Sequence, residues 1–147
     1  MLQHVSVRIA GLGWYLPKQR VSSSELAQRF GVAEGLIERT TGVQERRYAG
    51  GETASQMGAA AGRMALEHAG LRSSDLDAII GASSAPQQCI PCTATFVQRE
   101  LGAPEGRSLC FDINATCLSF LIALQTAAHA IAAGVYRHVL IFSSEIA

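Results

Sequence analysis

The hydrophobic pattern of the second half of the chain predicts short buried strands that alternate with helices. The runs at 78–84, 109–113 and 139–143 are apolar at consecutive positions, which is typical of strands covered on both faces in a parallel sheet. The segments 93–101 and 118–134 lie between these runs and have helical length and spacing. The order of elements predicts an α/β fold, in which a mostly parallel, mixed sheet carries helices on both faces.

The first seventy residues predict one strand and three helices. Alternation of apolar and polar residues indicates the strand, whereas capping serines or threonines and closing glycines delimit the helices. The predicted elements are a strand at 5–10 and helices at 25–30, at 33–39 and from a cap at Thr53 or Ser55 to Gly70. The polar residues 40–47 are interpreted as a turn.

Composition narrows the class of protein. The chain has 147 residues, no net formal charge, 48% hydrophobic residues and 16% charged residues, so we expect one domain with a real core and no nucleic-acid surface. The apolar excess favours a surface that contacts another chain. No secretion signal or membrane span is predicted, because the 118–134 helix is short and contains Gln125 and His129. We therefore expect a cytoplasmic protein, and its abrupt end after a strand indicates a part of a longer one.

Cys117 is the strongest candidate for chemistry. It follows the 109–113 strand and stands at the predicted start of the next helix. The free amides and the positive end of the helix dipole favour a thiolate there, and the thiolate is the nucleophilic form of cysteine. The alternative is that Cys117 is a small apolar residue that fills the core.

The pair Cys89 and Cys92 has the spacing of a redox or zinc motif. A zinc site of the usual kind needs a second pair of ligands. The histidines are isolated and do not supply that pair: His4, His68, His129 and His138. No metal site is predicted, and a redox module with a Cys89–Cys92 disulfide remains an alternative function.

Three separated segments resemble a known family. Residues 39–47, 52–58 and 111–120 are similar, in this order, to segments of β-ketoacyl-acyl carrier protein synthase III, a member of the thiolase superfamily. The resemblance implies a layered αβαβα architecture built from two similar halves. Residues 1–147 would be the N-terminal half-domain that carries the nucleophilic cysteine, and the C-terminal half would be absent from this chain.

The resemblance also implies a reaction. Cys117 falls on the family's nucleophile, which takes an acyl group from a coenzyme A thioester before decarboxylated malonyl-acyl carrier protein attacks it. This decarboxylative Claisen condensation serves fatty acid or polyketide-type biosynthesis. The implied partners are acyl carrier protein and a second copy of the chain in a homodimer, and no tightly bound cofactor is expected. The family's catalytic His and Asn lie in the other half, so this chain alone is expected to turn over the whole reaction slowly or not at all.

Three positions depart from the family's usual residues. Leu36 stands where a tryptophan commonly stacks on adenine, and Thr40 stands where an arginine commonly contacts the same nucleotide. These candidate substrate-binding residues put coenzyme A in doubt and leave an acyl carrier protein thioester as the other donor. Ile90 stands where many members have a larger phenylalanine, whose ring lines the acyl pocket of the neighbouring subunit. The smaller residue favours a longer or branched acyl group than acetyl.

Two further alternatives remain open. The adjacent Arg46 and Arg47 either dock an acidic carrier protein or form a solvated turn. The whole chain is either a condensing acyltransferase or a non-catalytic, regulatory subunit of the same fold that acts through pairing.

Overall fold

The computed structural model describes residues 6–146, and these residues form two compact units. The smaller unit comprises residues 16–52. The larger unit comprises residues 6–15 together with 53–146.

The smaller unit contains an antiparallel strand pair and two short helices. Strand β1 (Gln19–Ser22) pairs with β2 (Glu45–Tyr48), and the helices are α1 (Ser23–Phe30) and α2 (Leu36–Thr41). Ser22 caps α1 by accepting a hydrogen bond from the amide of Glu25, as predicted from its hydroxyl. This confirms the helix that the sequence predicts at this position.

Two predictions for this unit need correction. The helix expected at 33–39 begins later, at Leu36, because Gly35 adopts a left-handed conformation with φ 73°. The segment 40–47, expected to be a turn, instead contains the end of α2 at Thr41 and most of strand β2, which begins at Glu45. This strand lacks apolar alternation, and its side chains are held by polar contacts, such as the 3.0 Å bond from Arg47 to the carbonyl oxygen of Pro17.

The larger unit is built on a parallel sheet of three strands. They are β3 (Ala78–Ala82), β4 (Leu109–Ile113) and β5 (Val139–Phe142), and β3 lies in the middle. Both pairings of β3 are parallel. The prediction of an α/β fold with a mostly parallel sheet is confirmed. Among residues 6–146, both pairings of the larger sheet are parallel, and the antiparallel pair β1–β2 is a separate two-stranded sheet.

Helices cover both faces of the sheet, as predicted. Helices α3 (Ala54–Ala69) and α4 (Thr93–Glu100) pack on one face, and α5 (Ser119–Ala132) packs on the other. Neighbouring side chains of β3 separate the two cores, because Ile79 joins the α3–α4 side and Ile80 joins the α5 side. Both are 0% exposed, so each contributes about 1.5–3 kcal/mol by burial.

Helix α3 begins and ends where its sequence signals lie. The Thr53 hydroxyl accepts from the amide of Gln56, and the Gln56 side chain accepts from the Thr53 amide in return. This reciprocal pair satisfies two amides at the helix start. Thr53 is therefore the cap rather than Ser55, and Gly70 ends the helix with φ 66°.

The strand predicted at 5–10 is wrong over its described part. Residues 6–10 have no regular structure, and Val5 lies outside the described residues. The chain that follows lies along α3, where a Cβ atom on Gly11 or Gly13 would collide with the carbonyl oxygens of Ala65 and Ala61. Close approach to a helix, rather than pairing in a sheet, thus determines the path of this segment.

Helix α5 contains the apolar segment that most resembles a membrane span. It has 14 residues, and its buried face consists of small residues, including Ala123 and Ala127. Among residues 6–146, no helix combines the length and hydrophobicity that crossing a bilayer requires.

Candidate active site

Three loops meet the carboxyl ends of the parallel strands. They follow β3 at 83–92, β4 at 114–118 and β5 at 143–146. All three strands run in the same direction, so these loops lie at one edge of the sheet. In α/β sheets this edge is where ligands usually bind.

Cys117 lies in a tight turn between β4 and α5. The carbonyl oxygen of Ala115 accepts from the amide of Leu118 at 3.1 Å, and the side chain of Asn114 accepts from the amide of Thr116 at 3.1 Å. Thr116 has φ 51° and is the one non-glycine residue with positive φ among residues 6–146. A β-branched residue rarely adopts this conformation, and holding it there costs about 1–3 kcal/mol.

Ser119 holds this turn from beneath. Its side chain accepts from the amide of Ala115 at 2.9 Å and donates to the carbonyl oxygen of Thr116 at 2.7 Å. Ser119 is 3% exposed, so its own hydroxyl is shielded from water. The sequence reasoning missed this residue, although a serine at the start of an otherwise apolar helix is a signal for such a contact.

The position predicted for Cys117 needs a small correction. Helix α5 begins at Ser119, with Leu118 at the cap position, so Cys117 precedes the first turn instead of lying within it. The left-handed Thr116 reverses the chain before the helix starts, which explains the shift. Cys117 is exposed, and Leu118 provides no side-chain acceptor for the first amides of α5.

Glu145 connects the loops after β5 and β3. Its Oε1 atom accepts from the hydroxyl of Ser83 at 2.7 Å and from the amide and hydroxyl of Ser84 at 2.6 and 3.2 Å. These bonds, led by the one from Ser83, lower the pKa of the Glu145 carboxyl below its usual value. Sequence reasoning also missed this residue, because its partners are 61 and 62 positions away.

Asp112 connects the strand before Cys117 to helix α4. Its carboxylate accepts from the amides of Thr93 at 2.7 Å and Ala94 at 3.0 Å. These are the first two residues of α4, so Asp112 satisfies amides that have no partner within the helix. In the candidate site, the Asp112 carboxylate therefore caps helix α4 from β4, the strand that leads to Cys117.

The three candidate substrate-binding residues occupy different parts of the molecule. Ile90 is 86% exposed in the loop after β3, at the same sheet edge as the Cys117 turn. Leu36 and Thr40 belong to the smaller unit, one turn apart on α2, and line an apolar groove of about 340 Å³. The hydroxyl of Thr40 is already used, since it donates to the carbonyl oxygen of Leu36 at 2.8 Å.

The four cysteines differ in exposure. Cys89 and Cys117 are exposed, Cys92 and Cys110 are partly buried, and all four are free thiols. Burial, with smaller contributions from Cys92 and Asp112, raises the pKa of Cys110 to about 11. Within the described part of the chain, no group of three His, Cys, Asp or Glu side chains is arranged to hold a metal ion.

Comparisons with known proteins agree with this geometry. The family model of 3-oxoacyl-[acyl-carrier-protein] synthase III matches residues 111–147, which include the Cys117 turn. β-Ketoacyl-[acyl-carrier-protein] synthase III from Brucella melitensis is 38% identical over 138 residues, which are 93% of this chain and 42% of the relative. The chain thus spans about two fifths of the length of the relatives it matches.

Solved structures show the same relationship. The 3-oxoacyl-[acyl-carrier-protein] synthase III of Aquifex aeolicus VF5 superposes with a TM-score of 0.83 at 37% identity, covering 92% of this chain and 43% of that one. The priming β-ketosynthase of the R1128 polyketide biosynthetic pathway gives 0.86 at 36% identity, with 92% and 40% coverage. These matches define the fold as a thiolase-like α/β unit. Within that class, the chain belongs to the β-ketoacyl-acyl carrier protein synthase III family and corresponds to its N-terminal region.

Proposed function

We propose that this chain supplies the acyl-accepting half of a decarboxylative condensing enzyme, with Cys117 as the nucleophile. The observation that carries the proposal is the exposed position of Cys117 on a strained turn at the carboxyl edge of the sheet. The sulfur attacks the carbonyl carbon of an acyl thioester, a new carbon–sulfur bond forms, and the donor thiol leaves with the proton. The product of this half-reaction is an acyl-Cys117 thioester.

The later step needs groups that the resemblance places in the other half of the family's fold. In the complete enzyme, malonyl-acyl carrier protein loses carbon dioxide, and its carbanion attacks acyl-Cys117 to give a 3-oxoacyl product and the free thiol. We assign residues 1–147 as the N-terminal half-domain of such an enzyme. The expected assembly is a homodimer that receives acyl carrier protein.

The apolar groove of α2 bears on the choice of donor. Leu36 offers no aromatic face for a nucleotide base, and the Thr40 hydroxyl is bonded within its own helix. Leu36 and Thr40 thus supply neither a stacking face nor a charge to a nucleotide, so an acyl carrier protein thioester is the favoured donor. Ile90 is smaller than an aromatic residue, which favours an acyl chain longer or more branched than acetyl.

Mass spectrometry of the acylated chain tests the proposal. The purified chain is incubated with acetyl, branched and longer acyl thioesters of coenzyme A and of acyl carrier protein, and the labelled peptide is identified. We expect an adduct on Cys117 that persists in Cys89→Ala and disappears in Cys117→Ala. Cys89 is the matched control because it is the other exposed thiol.

Each other outcome has a defined meaning. Labelling at Cys89, or no labelling of a folded chain, would refute the nucleophile assignment, and the absence of labelling would favour the non-catalytic subunit. Preferential labelling by acetyl-coenzyme A would refute the assignments made to Leu36, Thr40 and Ile90 while leaving Cys117 in place.

A further inference from the structure

We propose that Glu145 is a positioning residue for Cys117, acting through the loop that follows β3. The inference rests on the proposed role of Cys117 as the nucleophile. The proposed function assigns the nucleophile, whereas the role proposed here is that of a residue outside the turn that fixes the turn's geometry. Three successive contacts connect the two residues.

The first contact joins the end of β5 to the loop after β3. One oxygen of Glu145 accepts three hydrogen bonds, from the Ser83 hydroxyl and from the amide and hydroxyl of Ser84, at 2.6–3.2 Å. Hydrogen bonds to a carboxylate are stronger than those between neutral groups. Glu145 therefore fixes the backbone of this loop against the neighbouring strand.

The second contact joins that loop to the end of β4. The amide of Ser83 donates to the carbonyl oxygen of Ile113 at 3.2 Å, and the side-chain amide of Asn114 approaches the carbonyl oxygen of Ser84 at 3.5 Å. The shorter of these extends the sheet pairing beyond the strands. The longer contact connects Asn114 to the backbone of Ser84, whose amide donates to Glu145.

The third contact reaches the turn itself. The other end of the Asn114 amide accepts from the backbone amide of Thr116, at 3.1 Å. Thr116 directly precedes Cys117 and has the left-handed φ of 51°. A change in the orientation of Asn114 therefore acts on the residue whose strained conformation aims the cysteine.

The sheet offers a matched control at its opposite edge. Asp77 precedes β3, and one of its oxygens accepts from the amides of Arg137 and His138 at 2.7 and 2.9 Å. Asp77 thus resembles Glu145 in chemistry, since each carboxylate holds a neighbouring segment by its backbone amides. It lies at the amino ends of the strands, away from the Cys117 turn.

The experiment compares Glu145→Gln and Glu145→Ala with Asp77→Asn in the 147-residue chain. Rates of Cys117 acylation and of its alkylation by iodoacetamide are measured by peptide mass spectrometry, and backbone amides are followed by NMR. We expect the Thr116 amide signal to move in both Glu145 variants. Acylation should slow about tenfold in Glu145→Ala, with partial recovery in Glu145→Gln, which keeps an acceptor. Asp77→Asn should leave the signal in place and both rates within about twofold.

The outcomes separate this inference from the proposed function. Unchanged Cys117 rates in a folded Glu145→Ala chain, or an unmoved Thr116 signal, would overturn the positioning role. Equal slowing in Asp77→Asn would also overturn it, because the effect would then be general destabilisation. If the unsubstituted chain is not acylated at all, the nucleophile assignment fails, while the alkylation rates and the amide signals still decide whether Glu145 positions the turn.

Discussion

Replacing Ser119 with alanine tests whether the Cys117 turn is held by a buried hydroxyl. The substitution removes the bond from the Ala115 amide and the bond to the Thr116 carbonyl oxygen. Each neutral hydrogen bond contributes about 0.5–1.5 kcal/mol. Since Ala115 and Thr116 are themselves partly accessible to water, we expect a loss of about 1–2 kcal/mol in the free energy of unfolding.

The assay is thermal unfolding followed by circular dichroism, with urea unfolding as a second measure. For a chain of this length the expected loss lowers Tm by roughly 2–8 °C. Thr126→Ala is the matched control, because Thr126 also lies on α5 and donates to a backbone oxygen, that of Ile122 at 2.8 Å, but is exposed. Its Tm should stay the same or rise slightly, as alanine is the better helix former. If Ser119→Ala lowers Tm no more than Thr126→Ala does, the account of the turn is wrong.

Two further predictions concern the carboxylates at the two edges of the sheet. Asp112→Ala leaves the amides of Thr93 and Ala94 at the start of α4 without their acceptor, and it should lower the free energy of unfolding in urea by about 2 kcal/mol. Glu100→Ala removes a 3.9 Å ion pair on α4 and should lower it by less than about 1 kcal/mol. Equal losses would contradict the capping role of Asp112. Backbone bonds, first that from His138 and then that from Arg137, lower the pKa of Asp77 below 3.8, so its stabilisation is complete above that value and is lost as the pH falls through the folded pKa. Asp77→Asn should therefore destabilise the chain by about 1 kcal/mol at pH 7 and by progressively less below pH 3.8, and an effect that does not change with pH would contradict this assignment.

The central sheet could be predicted from the sequence because its strands are buried on both faces. The run at 109–113 is β4 without any shift, and 139–143 differs from β5 by one residue. A continuous apolar run leaves little choice when both faces need covering. The β1–β2 pair escaped prediction for the opposite reason, since Glu45–Tyr48 has no apolar periodicity and its strand conformation depends on the partner strand.

The residues of the candidate site also differ in whether a local sequence signal marks them. Cys117 could be placed between β4 and α5 from the sequence because a strand, a turn and a helix adjoin it, whereas its role as the nucleophile stays a prediction. Ser119 and Glu145 could not, because their importance lies in contacts that only the folded chain creates. The Glu145 contacts bridge loops after two different strands, and no local pattern encodes such a pairing.

The turn around Cys117 combines a position that the sequence predicts with hydrogen bonds that only the folded chain creates. Thr116 costs about 1–3 kcal/mol in its left-handed conformation, and four hydrogen bonds oppose that cost: those of Leu118 and Asn114, and the two of Ser119. At about 1 kcal/mol each they are sufficient to hold the strained residue without a bound substrate. Folding alone therefore forms the turn, and if Cys117 is the nucleophile that we propose, its alignment does not have to be created by substrate binding. The geometry of the proposed nucleophile thus depends on Ser119, which bonds to the turn directly, and, in the inference above, on Glu145, which acts through the loop after β3.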